Sequence, residues 1–168
     1  LMAMMIRWEL AWPESAVPFT SWISEPFMYT EPEHSLYGAY MDPAFYNSLF
    51  TMHATIMIFF VVMPFMVGGF GNFLIPLMTG APDMAFPKLN MFSFWAMVPA
   101  AACIITSFFV EGGAAAAGWT SYPPLSTIKS AAPGSISGQT FWLLALTWVG
   151  LGSMMGAVNY VTTITKMR

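Results

Sequence analysis

Charge is what this sequence has least of. Only 8% of its 168 residues are Asp, Glu, Lys or Arg, against roughly 25% in a soluble domain. So little charge excludes an ordinary water-soluble globule and points to lipid as the natural solvent. Basic residues number five and the net charge is −3, which excludes a basic face for nucleic acid. There is one cysteine, Cys103, so a disulfide framework is excluded, and its place in an apolar run marks it as a small buried hydrophobe. Histidines number two, His34 and His53. With no HxH, HxxE or CxxC spacing around them, a zinc or copper site built wholly from this chain is excluded as well.

What remains is apolar. Hydrophobic residues make up 57% of the chain and the mean hydropathy is +0.64. A membrane crossing needs about 20 predominantly apolar residues, and three stretches qualify: residues 47–78, 89–110 and 140–165. Residues 1–12 read as the last turns of an earlier span. The chain starts inside one hydrophobic run and stops just after another, without a signal-peptide pattern; the expectation is a piece of a longer protein. The fold class expected is all-α and membrane-integral.

The connections differ in character. Residues 13–44 are acidic and rich in proline and aromatics, residues 80–87 form a tight turn, and residues 111–138 form an irregular Gly/Ala/Pro loop. Lys88, Lys166 and Arg168 fall on one side of the spans, which the positive-inside rule makes cytoplasmic. Residues 13–44 and 111–138 then face outward. Arg7 breaks that pattern and needs a reason of its own, either snorkelling to headgroups or a buried acceptor supplied by a cofactor.

Few polar groups lie within the spans, and each must find a partner there. His53 sits in the outer half of the first full span. An intramembrane imidazole is either a haem or metal ligand or a core histidine bonded to a neighbouring carbonyl. Asn72 follows three glycines in Met66-Val-Gly-Gly-Phe-Gly-Asn72. Asn90 and Ser93, three apart, share a face of the second span, whereas Ser153 and Asn159 on the third, six apart, point in different directions. These groups line a water-filled path or bond helix to helix. Asp83 stands at the cytoplasmic mouth of the same region, as a solvated turn residue or a proton antenna. Trp119 belongs to the outer interface, where the aromatic belt alone accounts for a tryptophan.

The strings His53-Ala-Thr-Ile-Met-Ile-Phe-Phe60, Val67-Gly-Gly-Phe-Gly-Asn72, Gly80-Ala-Pro-Asp-Met-Ala-Phe-Pro87, Ser93-Phe-Trp95 and Gly118-Trp-Thr-Ser-Tyr-Pro-Pro-Leu125 resemble subunit I of the haem–copper oxidases, in order along the chain. The resemblance is greatest to the cytochrome c-oxidising branch, with the quinol-oxidising branch as alternative. A membrane transport or assembly subunit is the alternative from a different class. It implies the end of helix I through helix IV of a twelve-helix bundle that reduces dioxygen to water and pumps protons.

By that resemblance His53 is an axial ligand of the low-spin haem, expected to be haem a. Arg7 donates hydrogen bonds to that haem's formyl group, and Trp119 meets a propionate of the high-spin haem. Asp83 opens a proton pathway continued by Asn72, Asn90, Ser93, Ser153 and Asn159. The second low-spin ligand, the high-spin haem ligand and the copper histidines belong to later helices. Implied partners are the remainder of the subunit, oxidase subunits II and III, cytochrome c and membrane lipid. Two departures bear on the path: Asn90-Met91 stands where the family often has two asparagines, and Gly152-Ser153 where it often has two serines. The length of residues 111–119 and the string Arg7-Trp-Glu-Leu-Ala-Trp-Pro13 resemble a bacterial branch, which implies the bacterial cytoplasmic membrane.

Overall fold

A computed structural model describes residues 1–13, 28–29, 40–128 and 136–168. Its elements are α1 (Met2–Ala11), β1 (Met28–Tyr29), β2 (Tyr40–Met41), α2 (Pro43–Thr55), a wide-wound stretch, α3 (Asn72–Thr79), α4 (Pro87–Trp95), α5 (Met97–Thr106) and α6 (Ile136–Lys166). The architecture is helical, with one addition the sequence did not announce. Strands β1 and β2 pair antiparallel, Met28 opposite Met41 and Tyr29 opposite Tyr40. His34 and Lys129 lie outside the described residues.

Three helices are long and apolar enough to cross a membrane: Pro43–Thr79 with 37 residues, Pro87–Thr106 with 20 and Ile136–Lys166 with 31. Nothing in the most apolar stretch of the first is buried. Large side chains such as Phe65, Phe73, Leu77, Phe94 and Val161 stand exposed along the spans. That much bare apolar surface suits contact with lipid or further helices, not water.

The chain divides into two compact units. The first comprises Leu1–Ala54 with Ser107–Thr140. Met2, Met5 and Ile6, at i, i+3 and i+4, share a face of α1 and pack with Met41 and Leu49, joined by Trp8, Phe45 and Tyr46. Trp8 and Trp12 stack one turn apart, ring centroids 4.6 Å from each other. The run Ala114–Ala117 is buried throughout, which only small side chains allow where backbone passes close to backbone. Gly138 marks the tightest approach: a methyl group there would overlap the Gly113 carbonyl. Backbone cannot swing away as a side chain can, so Gly138→Ala is expected to cost about 1–3 kcal/mol by overpacking. A lowered thermal midpoint of the assembled protein checks it.

The second unit comprises Thr55–Thr106 with Phe141–Arg168. Its first span is wide-wound (i→i+5) over Ile56–Val62 and Pro64–Gly71; the Met63 N–H accordingly reaches the Ile58 carbonyl. Pro64 has no N–H to give and its ring crowds the carbonyl one turn back, which favours such loosening. α3 ends at Gly80, whose φ of 73° only glycine adopts without strain. Ala81 N–H closes the cap on the Pro76 carbonyl at 3.0 Å. The second span breaks between α4 and α5, where Pro99 cannot donate to the carbonyl of Trp95. Helix winding stops at Thr106, short of the expected residue 110. There a turn from Val110 to Gly113 and two glycines of positive φ draw the chain away.

α6 buries one stripe: Trp142, Ala145, Val149, Gly152, Asn159 and Thr163, spaced at the three- and four-residue intervals of one helix face. At Gly152 the stripe meets α4 closely; a Cβ there would lie 3.1 Å from the Ser93 carbonyl oxygen. Small residues are what allow such approach in lipid.

Candidate functional site

The residues singled out by sequence fall into two groups, one in each unit. In the first unit α2 carries His53. Ser48, Thr51, Met52 and Thr55 are buried at i, i+3, i+4 and i+7, the period of a single packed face. His53 stands two residues from both threonines, about 200° round the helix from each. It is half-buried, one turn on from buried Leu49 on the same side of the helix.

Thr51 fixes this part of the helix twice over. Its hydroxyl donates to the Asn47 carbonyl at 2.7 Å and accepts from the Gly118 N–H at 3.0 Å. Gly118 holds a φ of 79°, and the next residue is Trp119, 41% exposed. The outer loop is thus tied to α2 two residues from His53. Arg7 is exposed on α1, two positions from buried Met5 and on another face.

Among the described residues there is no group of three or more His, Cys, Asp or Glu that could hold a metal ion. The donor set here is a single half-buried imidazole. That fits haem iron, whose equatorial ligands come from the porphyrin and which asks one helix for a single axial ligand. A zinc or copper ion asks for several protein donors at once.

In the second unit five of the six proposed path residues meet. A cavity of about 770 Å³ is lined by Asp83, Asn72, Asn90, Ser93 and Ser153 among largely apolar neighbours. Asp83 is exposed, and its carboxylate accepts the Met84 N–H at 2.7 Å. Asn72 donates from Nδ2 to the Gly68 carbonyl at 2.6 Å, while its buried Oδ1 has no hydrogen-bond partner. Ser93 donates to the Gly152 carbonyl at 2.7 Å. Here the glycine that replaces a serine is the seat of the α4 approach, so the lost hydroxyl coincides with a gained contact.

Asn159 does not line that cavity. It is fully buried, and its amide grips one residue from both sides. Oδ1 accepts the Phe86 N–H at 2.8 Å and Nδ2 donates to the Phe86 carbonyl at 3.3 Å. One turn on, Thr163 accepts the Ala85 N–H at 2.9 Å. Together they moor the loop that carries Asp83 to α6.

Sequence reasoning missed Tyr160. It lines the cavity, its hydroxyl donates to the Val67 carbonyl, and it sits against Gly71, where a Cβ would lie 2.9 Å from the phenol oxygen. A phenol in a membrane helix directly after Asn159 was the available signal, since an isolated hydroxyl in hydrocarbon must find a partner.

The family described as "Cytochrome C and Quinol oxidase polypeptide I" matches residues 1–168. Cytochrome c oxidase subunit 1 of Thermostichus vulcanus is 51% identical over 129 residues, 77% of this chain and 22% of that protein. Its counterpart in Synechocystis sp. is 50% identical over 129 residues, with the same shares. That of the yeast Yarrowia lipolytica is 49% identical over 123 residues, 73% of this chain and 22% of the relative. The chain spans about a fifth of the length of the curated relatives it matches. With the match running from end to end, the chain belongs to the cytochrome c and quinol oxidase polypeptide I family.

Proposed function

We propose that this chain is the part of a respiratory terminal oxidase's catalytic subunit that holds one side of the low-spin haem and opens a proton path to the oxygen-reducing centre. The observation that carries the reading is the cavity that gathers Asp83, Asn72, Asn90, Ser93 and Ser153. These polar residues come from α3, α4, α6 and the loop between α3 and α4, and they line one space. The whole oxidase reduces dioxygen to water, with the remaining metal ligands supplied by later helices and the electrons entering from cytochrome c through the neighbouring subunit II; subunit III completes the complex. The relatives named cytochrome c oxidase, at about half identity, favour that donor over quinol. The strings that resemble a bacterial branch support a bacterial cytoplasmic membrane as its location.

His53 would hold the haem iron through its imidazole, with Thr51 anchoring the helix beside it. A haem bound there supplies one-electron transfer. Trp119, on the loop tied to Thr51, offers its indole N–H to a propionate, and Arg7 offers its guanidinium to the formyl group. Asp83, exposed at the mouth, takes up a proton from the cytoplasmic side. Asn72, Asn90, Ser93 and Ser153 hold water in the cavity in hydrogen-bonded order, and Asn159 keeps the Asp83 loop in place.

The test is Asp83→Asn in the complete, assembled oxidase. The carboxamide keeps an oxygen for the Met84 N–H, so the loop stays in place and only the ionisable group is lost. Proton uptake, followed with a pH indicator after flash or stopped-flow oxidation, is expected to slow about a hundredfold, the lower end of what a positioned acid or base contributes. Haem absorbance should stay at its normal intensity. Uptake at the parent rate would remove Asp83 from the path.

A further inference from the structure

Two consecutive carbonyls of the wide-wound span, Val67 and Gly68, are met by side chains instead of being left to lipid. Tyr160 donates to the first and Asn72 to the second. Both side chains also line the cavity. Such a bond fixes what each group has left to offer. The phenol's only proton is committed to Val67, so toward water its oxygen presents lone pairs alone. On Asn72 the donor is engaged with Gly68, and the buried Oδ1 has no hydrogen-bond partner. The phenol is only partly buried, and an acceptor on the lining of a roomy cavity that also carries Asn90, Ser93 and Ser153 is where an ordered water belongs.

We infer that Tyr160 is a positioning residue of the proton path: its phenol oxygen is an acceptor in the cavity wall that orients cavity water. Water donating to this wall turns its own lone pairs outward, toward the proton arriving from Asp83. No bond to Tyr160 forms or breaks; the phenol holds the water and the proton passes through it. Gly71 is what makes this possible, because a Cβ there would stand 2.9 Å from the phenol oxygen and 3.1 Å from its ring carbon. The phenol could keep its place only if Gly71 stayed bare. The inference rests on the path proposed above and adds a residue to it.

The experiment uses the assembled oxidase with Tyr160→Phe and, separately, Gly71→Ala. The first removes the oxygen and keeps the ring; the second keeps the oxygen and displaces it. Each is expected to slow proton uptake about fivefold, with unchanged haem absorbance. Each is also expected to raise the ratio of uptake rates in H2O and D2O, because transfer past the wall becomes limiting. A merely structural role would reduce the yield of active protein and leave that ratio at its parent value, which would overturn the inference. Parent uptake rates in both variants, alongside slow uptake in Asp83→Asn, would also overturn it while leaving the path intact. Parent rates in all three would remove the path and the inference together.

Discussion

In the complete subunit, His53→Ala eliminates the low-spin haem absorption band. The expectation of complete loss, as opposed to a shift, comes from the number of donors. Among the described residues the chain brings one imidazole, that of His53, and no cluster of other metal-ligating groups to take over. The expectation of a local effect comes from the helix. The buried face of α2 is Ser48, Thr51, Met52 and Thr55, none of which is touched, and alanine is the best helix former. The two bonds of Thr51 persist, so the outer loop keeps its tie. A reduced-minus-oxidised spectrum of the purified variant should therefore lack the low-spin component while the protein still assembles. A band of normal intensity would show that His53 is a core histidine and nothing more.

The second large effect is expected at Asn159, and it is one of stability. Asn159→Leu keeps the branched shape and removes both bonds to Phe86, whose N–H and carbonyl are then left in partly buried surroundings. A backbone group stripped of its partner costs about 1–3 kcal/mol. Two of them at incomplete burial come to about 2–4 kcal/mol, a large share of the roughly 5–15 kcal/mol that holds an ordinary domain together. The variant should melt at lower temperature and become open to protease in the Asp83 loop, both measurable in the detergent-solubilised oxidase. Parent stability would show that the Phe86 clamp carries no weight. Proton uptake measured per intact molecule would further separate mooring from conduction, since Asn159 lies outside the cavity lining.

The spans were legible because lipid imposes a length and a composition that nothing else requires. Asn90 and Ser93 were legible as a pair because three residues of helix bring side chains to one face, and both line the cavity. Their company with Asn72 and Asp83 depended on how separate helices pack, which no periodicity encodes. Ser153 and Asn159 were read as facing different ways, and they do: one lines the cavity and the other is buried against Phe86. What escaped was the job of each polar group. An asparagine in a span must bond something, but whether to water in a cavity or to a neighbouring loop depends on what lies opposite. Tyr160 escaped for the same reason. Its partner, the Val67 carbonyl, lies on a different span, and no periodicity encodes which carbonyl a neighbouring helix presents.

Greasy helices in lipid have no preferred height relative to one another, because sliding one past its neighbour exchanges one apolar contact for another. α6 escapes that indifference. Along its buried stripe Trp142 donates to the Thr55 hydroxyl at 2.9 Å, the Gly152 carbonyl accepts from Ser93, Asn159 clasps Phe86 and Thr163 accepts from Ala85. From first to last these pins cover about 30 Å at 1.5 Å per residue, the thickness of the hydrocarbon itself. They work as a vernier: a slip by a single helical turn unpairs every one of them together, so the helix has one height or none. The serine, asparagine and threonine scattered through an otherwise apolar sequence are its graduations.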